Sequence, residues 1–203
     1  MTTARKSPRW PVVLYDLDGT LANSVDLIVT SYNHAFATVL GRQVAREKVL
    51  GWIGRSLPEV FGEVDPEHAI ELERRYMEYN LTHLNTITGY PGIPEVINDL
   101  AGAGLRQAVV TSKRRSVAER TLVFAGIPDA AELVVALEDS ERHKPDPEPL
   151  LVALERVDAH PRDAVYGGDA GTDLLAAQAA QRAGIGVTWG AGSTSELQAA
   201  PRE

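Results

Sequence analysis

Five apolar runs punctuate the chain, and each stops at a turn residue or an acidic one. Residues 10–15 read Trp-Pro-Val-Val-Leu-Tyr without a polar break and end at Asp16. Residues 105–111, 133–136 and 163–168 form similar runs, and 185–189 form a weaker fifth. A short run with no polar alternation fits a strand covered on both faces, as in a parallel sheet. Helical patterns lie between the runs. Residues 93–103 carry a proline in the first turn and close at Gly104, and 117–125 close at Gly126 with Pro128 beyond. Residues 147–157 and 172–183 complete the series, the last closing at Gly184. This alternation predicts an α/β fold with a doubly wound, Rossmann-like parallel sheet.

The rhythm breaks after the first run. Residues 25–40, 46–60 and 66–84 read as helices with no buried strand among them, and Gly89-Tyr90-Pro91-Gly92 marks the return to alternation. The expectation is a small α-helical domain, residues 23–89, inserted into a core formed by 1–22 and 90–203. No internal repeat or low-complexity segment is present, and the Ala/Gly/Ser-rich tail from Gly190 reads as loop or fraying terminus.

Composition narrows the function classes. The 203 residues are 44% hydrophobic and 24% charged, as in ordinary globular proteins. A formal net charge of −8 argues against nucleic acid or anionic membrane as partner, since both are bound by basic surfaces. An anionic small molecule would need a metal ion or a few local cations. With no cysteine, the chain has no thiol nucleophile, disulfide or Cys-ligated metal. Residues 1–10 are polar and basic, and the apolar run after them is too short for a signal sequence or membrane span, so the expected location is cytoplasmic.

Asp16 and Asp18 stand at i and i+2 where the first strand ends, a spacing that puts both carboxylates on one side of extended chain. Ligands of open parallel sheets bind at these strand ends. Gly19 permits a sharp turn and Thr20 can bond its freed backbone. Two neighbouring carboxylates repel unless a cation or shared proton intervenes, and a hard Mg²⁺ ion would relieve them through oxygen ligands.

Asp-Leu-Asp-Gly-Thr-Leu after a buried strand resembles the first motif of the haloacid dehalogenase superfamily, especially its phosphatases with a small helical C1-type cap. The resemblance runs from about residue 12 to 189 through four motifs in order. It implies that Asp16 attacks phosphorus and that Asp18 protonates the leaving alcohol and then activates water. The dehalogenases of the superfamily generally lack the second Asp, so Asp18 favours phosphoryl transfer.

The remaining motifs follow the same resemblance. Thr111, with Ser112 beside it, matches the hydroxyl that binds the transferring phosphoryl group. Lys144, in His143-Lys144-Pro145-Asp146-Pro147, matches the lysine that neutralises charge on nucleophile and phosphoryl oxygens. His143 is incidental. Asp169, in Tyr166-Gly167-Gly168-Asp169-Ala170-Gly171-Thr172-Asp173, matches the side-chain Mg²⁺ ligand, joined by Asp16 and the backbone carbonyl of Asp18. Asp173 is expected to orient Asp169, a metal-bound water or Lys144.

The cap segment Trp52-Ile53-Gly54-Arg55-Ser56-Leu57 and Lys113 resemble the phosphoglycolate phosphatases. Arg55 is expected either to pair with a carboxylate or second phosphate on the substrate, or to stand solvated at a helix end. Gly19, Thr20, Ser112 and Lys113 are the other expected substrate contacts. The expected partner is a small phosphorylated metabolite, with 2-phosphoglycolate first and nucleotides, pyrophosphate and sugar phosphates open. A phosphosugar mutase on the same nucleophile is the enzymatic alternative. From another class, a non-catalytic phosphate-binding module remains open. The chain is expected to be a monomer or weak homodimer.

Overall fold

The structure, a computed structural model, describes residues 8–199. The expected core and tail segments at 1–7 and 200–203 lie outside the described residues. Five parallel strands form one sheet in the order β5-β4-β1-β6-β7: β1 (Val12–Tyr15), β4 (Arg106–Val110), β5 (Ala131–Val135), β6 (Ala164–Gly168) and β7 (Ala183–Gly186). β1 is central, with Val12 opposite Arg106 of β4 on one side and Ala164 of β6 on the other.

That position explains its unbroken apolar reading. Val12 and Leu14 pack on one face with Val110, Leu150, Tyr166 and Ala176. Leu17 and Val109 pack on the other with Ile97 and Val117. Each fully buried large apolar side chain contributes about 2 kcal/mol. The covering helices are α5 (Ile93–Gly102), α6 (Arg115–Phe124), α7 (Glu148–Arg156) and α8 (Gly171–Ala179). The chain runs outward from β1 to β4 and β5, then crosses back to β6 and β7. Strand order therefore reverses beside β1, where a ligand crevice opens in such sheets.

Between β1 and α5 the chain forms α1 (Val25–Leu40), α2 (Arg46–Leu50), α3 (Leu57–Val64) and α4 (Ala69–His83). Ile28, Val29, Tyr32, Ala35 and Phe36 give α1 one buried face at helical spacing. Tyr32 anchors an aromatic cluster, with ring centroids 5.2 Å from Trp52, 5.2 Å from Phe61 and 4.9 Å from Tyr76. A two-residue antiparallel ladder, β2 (Ala22–Asn23) with β3 (Thr88–Gly89), closes the insertion at its neck.

Several expectations need correction. The helix expected over 46–60 is two helices, because Gly54 takes φ +91° and Pro58 starts α3 in its first turn. α8 stops at Ala179 and not at residue 183, and Gly184 lies inside the last strand. A Cβ at Gly184 would meet Leu174 Cδ2 at 3.0 Å, so this glycine lets α8 lie close to the sheet. The last strand consequently spans Ala183–Gly186 and not 185–189. The tail expected as loop contains a further helix, α9 (Thr194–Ala199). Among the described residues no helix is long and apolar enough to cross a membrane.

Candidate active site

Asp16 prolongs the central strand by one step, its N–H donating to Gly167 O at 2.8 Å, and its side chain is buried. The chain then turns sharply. The N–H groups of Thr20, Leu21 and Ala22 all point at Leu17 O, and Gly19 takes φ +80°. The turn separates the two carboxylates by partner. Asp18 accepts from Ser24 Oγ at 2.6 Å and from Lys113 Nζ at 2.7 and 2.9 Å.

Asp16 has a different cation. Lys144 Nζ donates to Asp16 Oδ1 at 2.8 Å, to Asp173 Oδ1 at 2.7 Å and lies 3.1 Å from Tyr166 Oη. All three ionic side chains are at most 3% exposed. Burial pushes Asp16 well above the usual carboxylate range; Lys144 pulls it down, and Asp173 and Asp169 push it up again. Burial works against the charged form of Lys144, but Asp16 and Asp173 outweigh it and hold its pKa well above that of an ordinary lysine. Asp173 Oδ2 meanwhile accepts from Ala170 N–H at 3.0 Å at the start of α8, a carboxylate at a helix N-terminus. Of the three tasks expected for Asp173, holding Lys144 is the one its contacts display.

Asp169, at the end of β6, is caged. Thr20 Oγ1 donates to Oδ1 at 3.1 Å and Ala191 N–H to Oδ2 at 2.6 Å. Thus the Thr20 hydroxyl, expected at the substrate, is bonded to Asp169, and Gly19 packs against the same carboxylate, where a Cβ would collide with it. The tail adds more: Gly192 N–H donates to Asp169 O at 3.0 Å and Trp189 Nε1 to Thr20 O at 3.1 Å. A Cβ on Gly190 would strike the Asp169 side chain and Gly19 O. The sequence reading missed this strap. Its signal was the Trp-Gly-Ala-Gly run at 189–192, where two glycines flank the donor residue.

Asp16, Asp169 and Asp173 bring carboxylate oxygens within 4.8 Å of one another, all buried. Three buried carboxylates face one ammonium group, a deficit of two positive charges when all are ionised. Burial, with Asp173 nearby, pushes Asp169 up to about 7 despite its hydrogen bonds. This all-oxygen, charge-deficient set fits a hard divalent cation such as Mg²⁺. Lys144 occupies Asp16 at Oδ1, and both Asp173 oxygens are taken by Lys144 and the Ala170 N–H; Asp16 and Asp169 are the side chains that would hold it.

A cavity of about 60 Å³ runs from Asp16 and Asp18 toward the helical insertion. Thr111, whose Oγ1 accepts from Lys113 N–H at 3.2 Å, and Ser112 line it on the sheet side. Ser112 Oγ donates to Gly54 O at 2.8 Å, so this hydroxyl ties the insertion to the sheet. Arg55 also lines the cavity, but its guanidinium grips Glu63 at both nitrogens, 3.0 and 2.5 Å. The acids, lysine and hydroxyl expected from separate motifs therefore converge at the ends of β1, β4 and β6.

The model of the haloacid dehalogenase-like hydrolases matches residues 13–189, from β1 through the residue whose indole bonds Thr20. The chain belongs to this family. Pyrophosphatase PpaX of Bacillus cereus is 36% identical over 178 residues, covering 87% of this chain and 82% of that protein. A Bacteroides fragilis protein described as a haloacid dehalogenase-like hydrolase superposes with a TM-score of 0.87 at 28% identity, covering 96% of this chain and 95% of its own. A Haemophilus somnus protein described as a predicted phosphoglycolate phosphatase gives 0.80 at 25% identity, with coverage of 93% and 90%. The hydrolase thus has the fold that its sequence resemblance implied, with Asp16, Lys144, Asp169 and Asp173 gathered in one buried cluster.

Proposed function

We propose that this hydrolase is a Mg²⁺-dependent phosphatase acting on small phosphate esters through a phosphoaspartate formed on Asp16. The observation that carries the reading is the single buried ammonium of Lys144 bridging Asp16 and Asp173 beside Asp169. In this reading an Asp16 oxygen forms the new bond to phosphorus while the bond from phosphorus to the alcohol oxygen breaks. Lys144 fixes the Asp16 carboxylate through Oδ1 and neutralises charge that accumulates there. Thr111 presents its hydroxyl to the phosphoryl oxygens. Asp18 gives a proton to the departing oxygen and then takes one from the water that cleaves the phosphoaspartate. A bound Mg²⁺ would supply countercharge for the phosphoryl group.

Phosphate release from a panel of esters, with Mg²⁺ and with chelator, tests the reading, together with capture of phosphate on the wild-type chain and its absence in Asp16→Asn. Full activity in Asp16→Asn would sink it. The sequence resemblance nominates 2-phosphoglycolate, and the 36% identity to a protein named pyrophosphatase adds pyrophosphate as a second reading. A mutase would instead turn a sugar 1-phosphate into its isomer without free phosphate.

A further inference from the structure

The cavity beyond the acid–lysine site has two kinds of wall. Ile28, Tyr32, Trp52, Leu57, Tyr76 and Met77 give it a broad apolar and aromatic face from the helical insertion. Its cations are Arg55, Lys113 and Arg114. Each already holds a carboxylate: Lys113 with Asp18 at 2.7 Å, Arg55 with Glu63 at 2.5 Å and Arg114 with Glu73 at 2.5 Å.

We propose that the alcohol half of the substrate is uncharged, so that the enzyme prefers phosphate esters of neutral alcohols to those whose other half is an anion. The inference rests on the phosphatase reading and names the substrate class of that site.

Charge accounting carries the argument. A carboxylate or second phosphate entering against the apolar face gives up water and finds no unpaired cation there among the described residues. To receive it, Arg55 would have to leave its two-pronged grip on Glu63. A neutral alcohol meets neither obstacle, and its carbon-bound hydrogens can lie on the Tyr32, Trp52 and Tyr76 rings. Sequence resemblance and curated relatives both point to anionic halves, so the proposal separates from them cleanly.

The decisive comparison uses the full chain with Mg²⁺ and a matched pair, 2-phosphoglycolate and 2-hydroxyethyl phosphate. They differ only in carboxylate against hydroxymethyl. Pyrophosphate and glycerol 3-phosphate extend the comparison. The expected kcat/KM is at least about tenfold higher for the neutral member of the pair, a factor that one uncompensated charge readily supplies. Equal or higher kcat/KM for 2-phosphoglycolate or pyrophosphate overturns the proposal while leaving the phosphatase reading intact. Phosphate release from none of the four sinks both. Glu63→Gln, at an exposed position outside the reacting groups, frees Arg55 and should narrow the preference about threefold or more. An unchanged ratio in Glu63→Gln overturns the charge argument on which the proposal stands.

Discussion

The backbone N–H of Ala191 donates to Asp169 Oδ2 at 2.6 Å, tying a residue near the chain's end to the proposed metal ligand. Both flanking glycines are needed for that approach, since a Cβ at Gly190 or Gly192 would collide with Asp169. Gly190→Ala should push the strap off the carboxylate and loosen Mg²⁺ by roughly tenfold, the scale at which outer contacts tune metal sites. Isothermal titration with Mg²⁺ checks this, and the circular dichroism spectrum should stay unchanged. Wild-type affinity in a folded variant would show that the strap is dispensable.

Lys144 and Arg55 make a second contrast. Lys144 is a buried cation between two buried carboxylates, whereas Arg55 sits on an exposed glutamate. Lys144→Ala leaves Asp16 and Asp173 without their cation, and removing one partner of a buried pair costs about 3–5 kcal/mol. Lys144→Ala should lower the melting temperature and reduce turnover by orders of magnitude. Arg55→Ala should change KM more than kcat. Comparable kcat losses in the two variants would contradict the division of labour.

Ser112 offers a third test. Its hydroxyl donates to Gly54 O, the direct link it makes between the end of β4 and the insertion. Ser112→Ala should loosen the insertion and raise KM severalfold, as expected for a hydrogen bond contributing about 1 kcal/mol. Hydrogen exchange at residues 51–56 should speed up. Unaltered exchange there would place Ser112 outside the docking of the insertion.

Much of this was legible in the sequence because strand burial and strand-end chemistry are both local. Val12 and Leu14 announce a two-faced strand by themselves, and Asp16, Thr111, Lys144 and Asp169 each sit in a distinctive short context. What stayed hidden depends on distant residues. The Gly51 and Gly54 break between α2 and α3 lies within an otherwise helical pattern. The 189–192 strap reads as loose tail because its meaning lies in a carboxylate 22 residues before Ala191. Thr20 looked free for substrate until Asp169 took its hydroxyl. Likewise, the Glu63 partner of Arg55 lies on α3, beyond the turn and the motif that contain the arginine.

The raised Asp169 carboxyl makes metal binding pH-dependent in a stated direction. In the metal-free fold burial and Asp173 move it to about 7, against 3.8 for an ordinary aspartate. Between those values the folded chain keeps a proton that the unfolded chain has released. This contribution to stability is therefore fully present below about pH 4 and is lost as pH rises through about 7. Mg²⁺ needs the ionised form and must displace that proton below pH 7, whereas above it the carboxylate is ready. The rise in melting temperature on adding saturating Mg²⁺ should therefore be larger at pH 8 than at pH 5.5. Asp169→Asn should lose most of the rise at both values while sparing the metal-free fold. Thermal melts with and without Mg²⁺ across this range decide the matter, and a shift that grows toward acid pH would rule out Asp169 as the titrating ligand.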